Sequence, residues 1–226
     1  GAYYRARALV RLQNAQPLLA KADLDQALNL QPDDASALRL RGELYLRRKD
    51  VKLAQADFDA ALKSSSANAE LPVEIGLAYV GAGFYEAGVR QLDGWITAHP
   101  KDENLGQAYA ARCWARASWG KELDAALADC DAALRRDHNS RVMEFRGLVL
   151  YRMGRLDEAI LQYGAAVKLQ PRSAAALYGR GLAELKKGAR DAGDADLAAA
   201  KTLSPGIVEE WRRFGLAPDA PAPAKS

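Results

Sequence analysis

Cysteine and histidine are nearly missing, two of each in 226 residues, and this scarcity limits the chemistry available. Cys113 and Cys130 have no CxxC spacing, and His99 and His138 stand apart at turns between repeats, so they assemble no metal site. No histidine is placed to activate a nucleophile in the manner of a catalytic triad. The sequence therefore points to a chain that is not an enzyme and uses neither cofactor nor metal. Valine, isoleucine and threonine are sparse beside alanine, leucine, arginine and aspartate, a balance that favours helix over strand. No run of about 18 apolar residues exists, so no membrane insertion is expected. Charge excess is small too: 32 basic against 29 acidic residues leave a net +3. A nucleic-acid binder usually carries a larger and more clustered surplus.

What is present is a repeat with a period of about 34 residues. The segment DLDQALNLQP, ending at Pro32, returns as DFDAALKSSS, DCDAALRRDH, QYGAAVKLQP and DLAAAKTLSP. Upstream of it recur RGELY at 41–45, IGLAY at 75–79, RGLVL at 146–150 and RGLAE at 180–184. The alignment gives repeats at 1–34, 35–68, 69–102, 106–139, 140–173 and 174–207. Small residues recur where two helices must nearly touch: Ala8, Gly42, Gly76, Cys113, Gly147 and Gly181 in the first helix, Ala20, Ala54, Gly88, Ala126, Ala159 and Gly193 in the second. Larger side chains there would push the helix axes beyond 8–10 Å. Pro32, Pro100, Pro171 and Pro205 stop the second helix.

These positions resemble the tetratricopeptide repeat family, in the form found in bacterial proteins, over about residues 1–207. The resemblance implies an all-α, right-handed α-solenoid of six helical hairpins. Residues 207–214, IVEEWRRF, fit a C-terminal capping helix with Ile207 and Trp211 on one face, so the solenoid is expected over 1–214. Residues 215–226, rich in proline and alanine, read as a disordered tail. Departures cluster in the middle: Trp95 stands where other repeats have alanine, Glu103, Asn104 and Leu105 are inserted, and the fourth hairpin has one extra residue near Lys121. Ser66 and His138 replace the proline. The chain opens inside a repeat at Gly1 and Ala2, which reads as a trimmed or processed product and leaves either bacterial cytoplasm or periplasm open.

Arginine precedes the first small residue as Arg7, Arg41, Arg112, Arg146 and Arg180, and aspartate recurs at matching depth as Asp23, Asp57, Asp129 and Asp196. The third repeat lacks both, with Ile75 and Gln91, and the fifth pairs Arg146 with Gln162. Joint presence and joint absence favour an Arg–Asp ladder between helices over a basic stripe for phosphate. Cys113 and Cys130 fall on inward positions of one hairpin. The favoured reading is two buried thiols acting as small hydrophobes, with a disulfide in an oxidising compartment as the alternative.

In the tetratricopeptide family the first helices present a groove that binds ligands, and the resemblance implies a protein or peptide partner held there. On the early repeats the groove positions are Arg5, Leu9, Arg39, Glu43, Arg47 and Leu77. On the later ones they are Trp114, Glu144, Tyr151, Arg152, Tyr178 and Lys186, with Trp114, Tyr151 and Tyr178 as the aromatic anchors. The lysine-and-asparagine set by which relatives hold chaperone C-termini is not found. The expected function is a non-catalytic protein–protein interaction scaffold. An RNA-binding solenoid and a self-assembly module are the alternatives, and no nucleic acid is expected.

Overall fold

The computed structural model describes residues 1–65, 68 and 70–216, which contain thirteen helices and no strand. Ser66 and most of the expected tail, 217–226, lie outside the described residues. The fold is an α-solenoid of helical hairpins. In chain order the hairpins are α1 (Ala2–Gln13) with α2 (Pro17–Leu30), α3 (Ala35–Arg47) with α4 (Val51–Ser64), and α5 (Leu71–Gly81) with α6 (Tyr85–Ala98). They continue as α7 (Leu105–Trp119) with α8 (Leu123–Leu134), α9 (Ser140–Arg152) with α10 (Leu156–Leu169), and α11 (Ala174–Lys187) with α12 (Arg190–Leu203). A last short helix, α13, runs Ile207–Arg212.

Local chemistry sets the helix ends. Asp34, Asn139 and Ser173 accept from the backbone N–H of Ala37, Arg141 and Ala176 and so cap α3, α9 and α11, satisfying donors the helix leaves unpaired. Inside each hairpin the turn needs a left-handed residue. Gly83, Gly120, Gly154 and Gly188 supply it, while Ala15 and Lys49 adopt it with φ of 54° and 64°, at a steric cost of about 1–2 kcal/mol each.

The small-residue rows do what their spacing requires. Ala8, Ala20, Ala27, Ala54, Ala61, Ala126 and Ala159 are fully buried. A Cβ on Gly42 would lie 2.5 Å from the Phe58 ring, and one on Gly147 2.8 Å from the Tyr163 ring. The ring from the second helix thus lies directly on the backbone of the first. Trp95, which breaks the alanine row, is buried.

The chain divides into two compact units, Gly1–Trp95 and Ile96–Ser226, with the division beside Trp95. In the first, the core gathers Leu24, Leu38, Leu44, Phe58, Ile75 and Tyr79, and α3 packs on α2, α4 and α5. In the second, the core gathers Cys113, Val149, Leu150, Tyr163, Tyr178 and Trp211. There α7, α9 and α11 are successive neighbours, forming one layer backed by α8, α10 and α12, while α13 packs on α11 and α12. Cys113 and Cys130 form a disulfide joining α7 to α8, with Cα atoms 5.4 Å apart. The reading of two free thiols is corrected: facing inward positions of one hairpin bring the sulfurs within bonding reach.

Candidate functional site

Most of the arginine row is consumed within the hairpins. Arg7 donates to Asp23 at 2.6 and 2.9 Å, Arg41 to Asp57 at 2.7 and 2.8 Å, Arg112 to Asp129 at 2.5 and 2.9 Å, and Arg180 to Asp196 at 2.5 and 2.8 Å. Each is a two-pronged guanidinium–carboxylate pair between first and second helix. The separation is 16 residues except in the fourth hairpin, where it is 17, the mark of the extra turn residue. Arg146 donates to Gln162 at 3.1 Å and also reaches Asp131 of the preceding hairpin at 2.8 Å. Arg41 does the same toward Asp25 at 2.9 Å, so the ladder also links neighbouring hairpins. Where it is missing, Ile75 is fully buried instead. The hydrogen bonds from Arg7 hold the Asp23 carboxyl below the ordinary carboxylate range.

In the first unit α3 and α5 line a cavity of about 470 Å³. From α3 come Arg39, Glu43, Leu46 and Arg47, and from α5 come Glu74, Leu77, Ala78 and Gly81. Both sets follow the i, i+4, i+7 or i, i+3, i+4, i+7 spacing of one helical face. Arg39 pairs with Glu43 one turn on and reaches Glu74 across the gap at 3.1 Å. Burial pushes the Glu43 carboxyl up, against the pull of Arg39 and Arg47. Leu77 is 41% exposed and Leu46 is buried, so the floor is apolar. Arg47 is exposed and makes no ion pair among the described residues. The cavity therefore offers apolar contact beside the Arg39–Glu43–Glu74 cluster and the exposed Arg47 cation.

Four sequence-derived groove residues, Arg39, Glu43, Arg47 and Leu77, meet in this cavity. Arg5 and Leu9 are not among its lining. Arg5 pairs with Asp34, the cap of α3, which gives it a structural task, and Leu9 is 43% exposed on α1. Glu74 joins this face from α5, whose Val73 and Val80 are buried. Its signal was its position three residues before Leu77.

In the second unit Tyr178 is a correction. Tyr178 is fully buried, its ring 5.1 Å from that of Trp211 on α13, so it is core and not an accessible anchor. Trp114 is half-buried, its ring 4.8 Å from Phe145 and 5.2 Å from Phe214. Arg152 donates to the carbonyl oxygens of Phe214 at 2.8 Å and Ser118 at 3.3 Å. Tyr151 lies under the Lys186 ammonium at 4.9 Å. Glu144 accepts from the Ser173 hydroxyl at 2.5 Å, and burial raises its carboxyl, with Glu210 adding to the rise. The chain's own C-terminal segment meets Tyr178 through Trp211, and Trp114 and Arg152 through Phe214, while Lys186 is exposed.

Comparison with known proteins follows the same lines. Residues 5–69 match a family model described as "Tetratricopeptide repeat", and residues 147–188 match one described as "TPR repeat". Among solved structures, PilW, described as a widely conserved type IV pilus biogenesis factor, superposes with a TM-score of 0.68 at 18% identity, covering 90% of this chain and 93% of that one. The pilF protein of Pseudomonas aeruginosa gives 0.64 at 21%, covering 93% and 95%. YrrB, described as a TPR protein with an unusual peptide-binding site, gives 0.53 at 22%, covering 80% and 92%. At these identities the likeness is one of fold.

Proposed function

From the premise that this chain is a tetratricopeptide repeat protein, we propose that it is a non-catalytic scaffold whose first unit holds a segment of a partner protein. The observation that carries the reading is the α3–α5 cavity, where exposed Leu77 and ion-pair-free Arg47 stand beside the Arg39–Glu43–Glu74 cluster. Apolar groups left on the inner layer of a stacked-hairpin fold have no neighbour to cover them. A partner segment placing an apolar side chain on Leu77 and a carboxylate near Arg47 would meet both needs. Peptide recognition by a YrrB-type neighbour supports the class of ligand and not its identity. An RNA-binding reading fares worse, because the ladder arginines are engaged by aspartates and would have to break those pairs to reach phosphate.

The test is site-directed photo-cross-linking in the native lysate, with the cross-linker at Leu77 and, as control, at Leu161, which is 73% exposed on α10. A discrete partner should be captured from position 77 and not from 161. Arg47→Glu should reduce that capture at least tenfold, the loss expected when a charged contact at an anchored site is reversed. Equal capture from both positions, or indifference to Arg47→Glu, would refute the reading.

A further inference from the structure

Cys113 and Cys130 stand where other hairpins set a small residue under a large one. A Cβ on Gly42 would lie 2.5 Å from the Phe58 ring, and one on Gly147 2.8 Å from the Tyr163 ring. One on Gly76 would lie 2.7 Å from Leu92, and one on Gly181 3.0 Å from Leu197. In each of these hairpins one big side chain of the second helix closes the gap. In the fourth both members are small, and a covalent bond closes it, with the Cα atoms 5.4 Å apart. Without the bond, two facing sulfurs must move out to van der Waals contact. One turn along, Ala117 and Ala126 are fully buried, so the helices are close there too and leave a sulfur little room to turn aside. The reduced hairpin is therefore looser than the bonded one. The finished bond is also sealed. Both cysteines are 0% exposed, and the Cys130 Sγ lies 3.9 Å from the Val142 carbonyl oxygen of α9. Thiol–disulfide exchange requires an attacking sulfur to reach the sulfur it attacks. With α9 seated on α7 and α8, no external sulfur reaches this pair, so the bond has to form before the hairpin is covered.

We infer that Cys113 and Cys130 are the substrate of an oxidant that itself carries a disulfide, that this oxidant closes the bond while α7 and α8 are still open, and that the second unit is completed in an oxidising compartment. One cysteine thiolate attacks the oxidant's disulfide, releasing one oxidant thiol and leaving a mixed disulfide. The other cysteine thiolate then attacks the chain's own sulfur in that mixed disulfide, forms the Cys113–Cys130 bond and releases the second oxidant thiol. Two chain thiols are oxidised, one oxidant disulfide is reduced, and the two protons pass to the oxidant's sulfurs. Compartments that keep such oxidants are those in which structural disulfides persist. The inference does not depend on the first unit's cavity.

The first measurement is made on the full chain in its native host, alkylated before the cells are opened and then analysed by mass spectrometry. The two cysteines should be joined and carry no alkyl group, and a chain carrying two would overturn the inference. The second uses the purified chain, with dithiothreitol as reductant and oxidised glutathione as oxidant. Reduction should run about tenfold or more faster in denaturant than in native buffer, because only opening exposes the sulfurs. Equal rates would show that the folded hairpin admits an external sulfur, which overturns the order of events. Refolded without oxidant, the chain should leave both thiols open to alkylation, and oxidised glutathione should then close the bond and end that reactivity. Thiols that resist alkylation in the refolded, reduced chain would show that the hairpin closes without the bond, and would overturn the inference equally.

Discussion

The two units use the same hairpin and leave their first-helix layers in opposite states. In the first, α3 and α5 line a cavity with Leu77 and Arg47 open to solvent. In the second, Trp114 on α7 and Arg152 on α9 meet Phe214, and Tyr178 on α11 meets Trp211. The second unit is also the more constrained. A disulfide joins its first hairpin. A repeat position therefore does not have a fixed duty. Whether it meets a partner or the chain itself depends on what returns to cover it.

The disulfide is the strongest lever on this contrast. Closing a loop of 17 residues restricts the unfolded chain and is worth about 3 kcal/mol. Reduction, or Cys113→Ser with Cys130→Ser, should accelerate hydrogen exchange throughout α7 and α8 and leave α1 to α4 near their original rates. Acceleration spread equally over both units would show that they open as one body and would remove the energetic side of the comparison.

The ladder should matter less. Its pairs are partly exposed, with Arg41 and Asp57 side chains at 22% and 9%, so the double-mutant cycle of Arg41→Ala and Asp57→Ala should give a coupling of a few tenths to about 1 kcal/mol. The corresponding cycle on Arg112 and Asp129 should couple more strongly. There the carboxylate also accepts from Arg116, which is itself buried, and the side chains of Arg112 and Asp129 are 14% and 5% exposed. Additive losses in both would mean that the crossing pairs do not set hairpin geometry.

Smallest is the pH effect of Glu43 and Glu144, one in each unit, both raised by burial. A carboxyl whose folded pKa lies above its unfolded value costs stability when ionised. That cost is absent below the ordinary carboxylate pKa of about 4.3 and is complete once pH has risen through the folded value. Glu43→Gln and Glu144→Gln should therefore raise the denaturation midpoint at pH 7 and have little effect near pH 4. A lower midpoint at pH 7 would show that Arg39 or the Ser173 hydroxyl needs the ionised partner more than burial opposes it.

How far the residues alone could lead is clearest at Gly42, Arg41 and Tyr178. Gly42 and its equivalents were legible because two helices can approach only where a side chain is missing, and that constraint recurs at every hairpin. Arg41 and Asp57 were legible because presence and absence of the pair vary together along one chain. Cys113 and Cys130 could be placed face to face but not bonded, since facing positions are compatible with thiols as well. Tyr178 could not be read at all. Its place in the repeat matches that of Glu144 and Arg39, and a periodic pattern assigns all three the same face. Only the tertiary structure shows that Trp211 of α13 packs on Tyr178, that Glu144 accepts from Ser173, and that Arg39 lines a cavity. The sequence by itself determined the hairpins, their small-residue contacts and their cross-braces, because these are local and repeat every 34 or so residues. What covers the second unit's inner face was decided by contacts with the C-terminal segment, Trp211 on Tyr178 and Phe214 on Trp114 and Arg152, and non-recurring contacts leave no periodic trace.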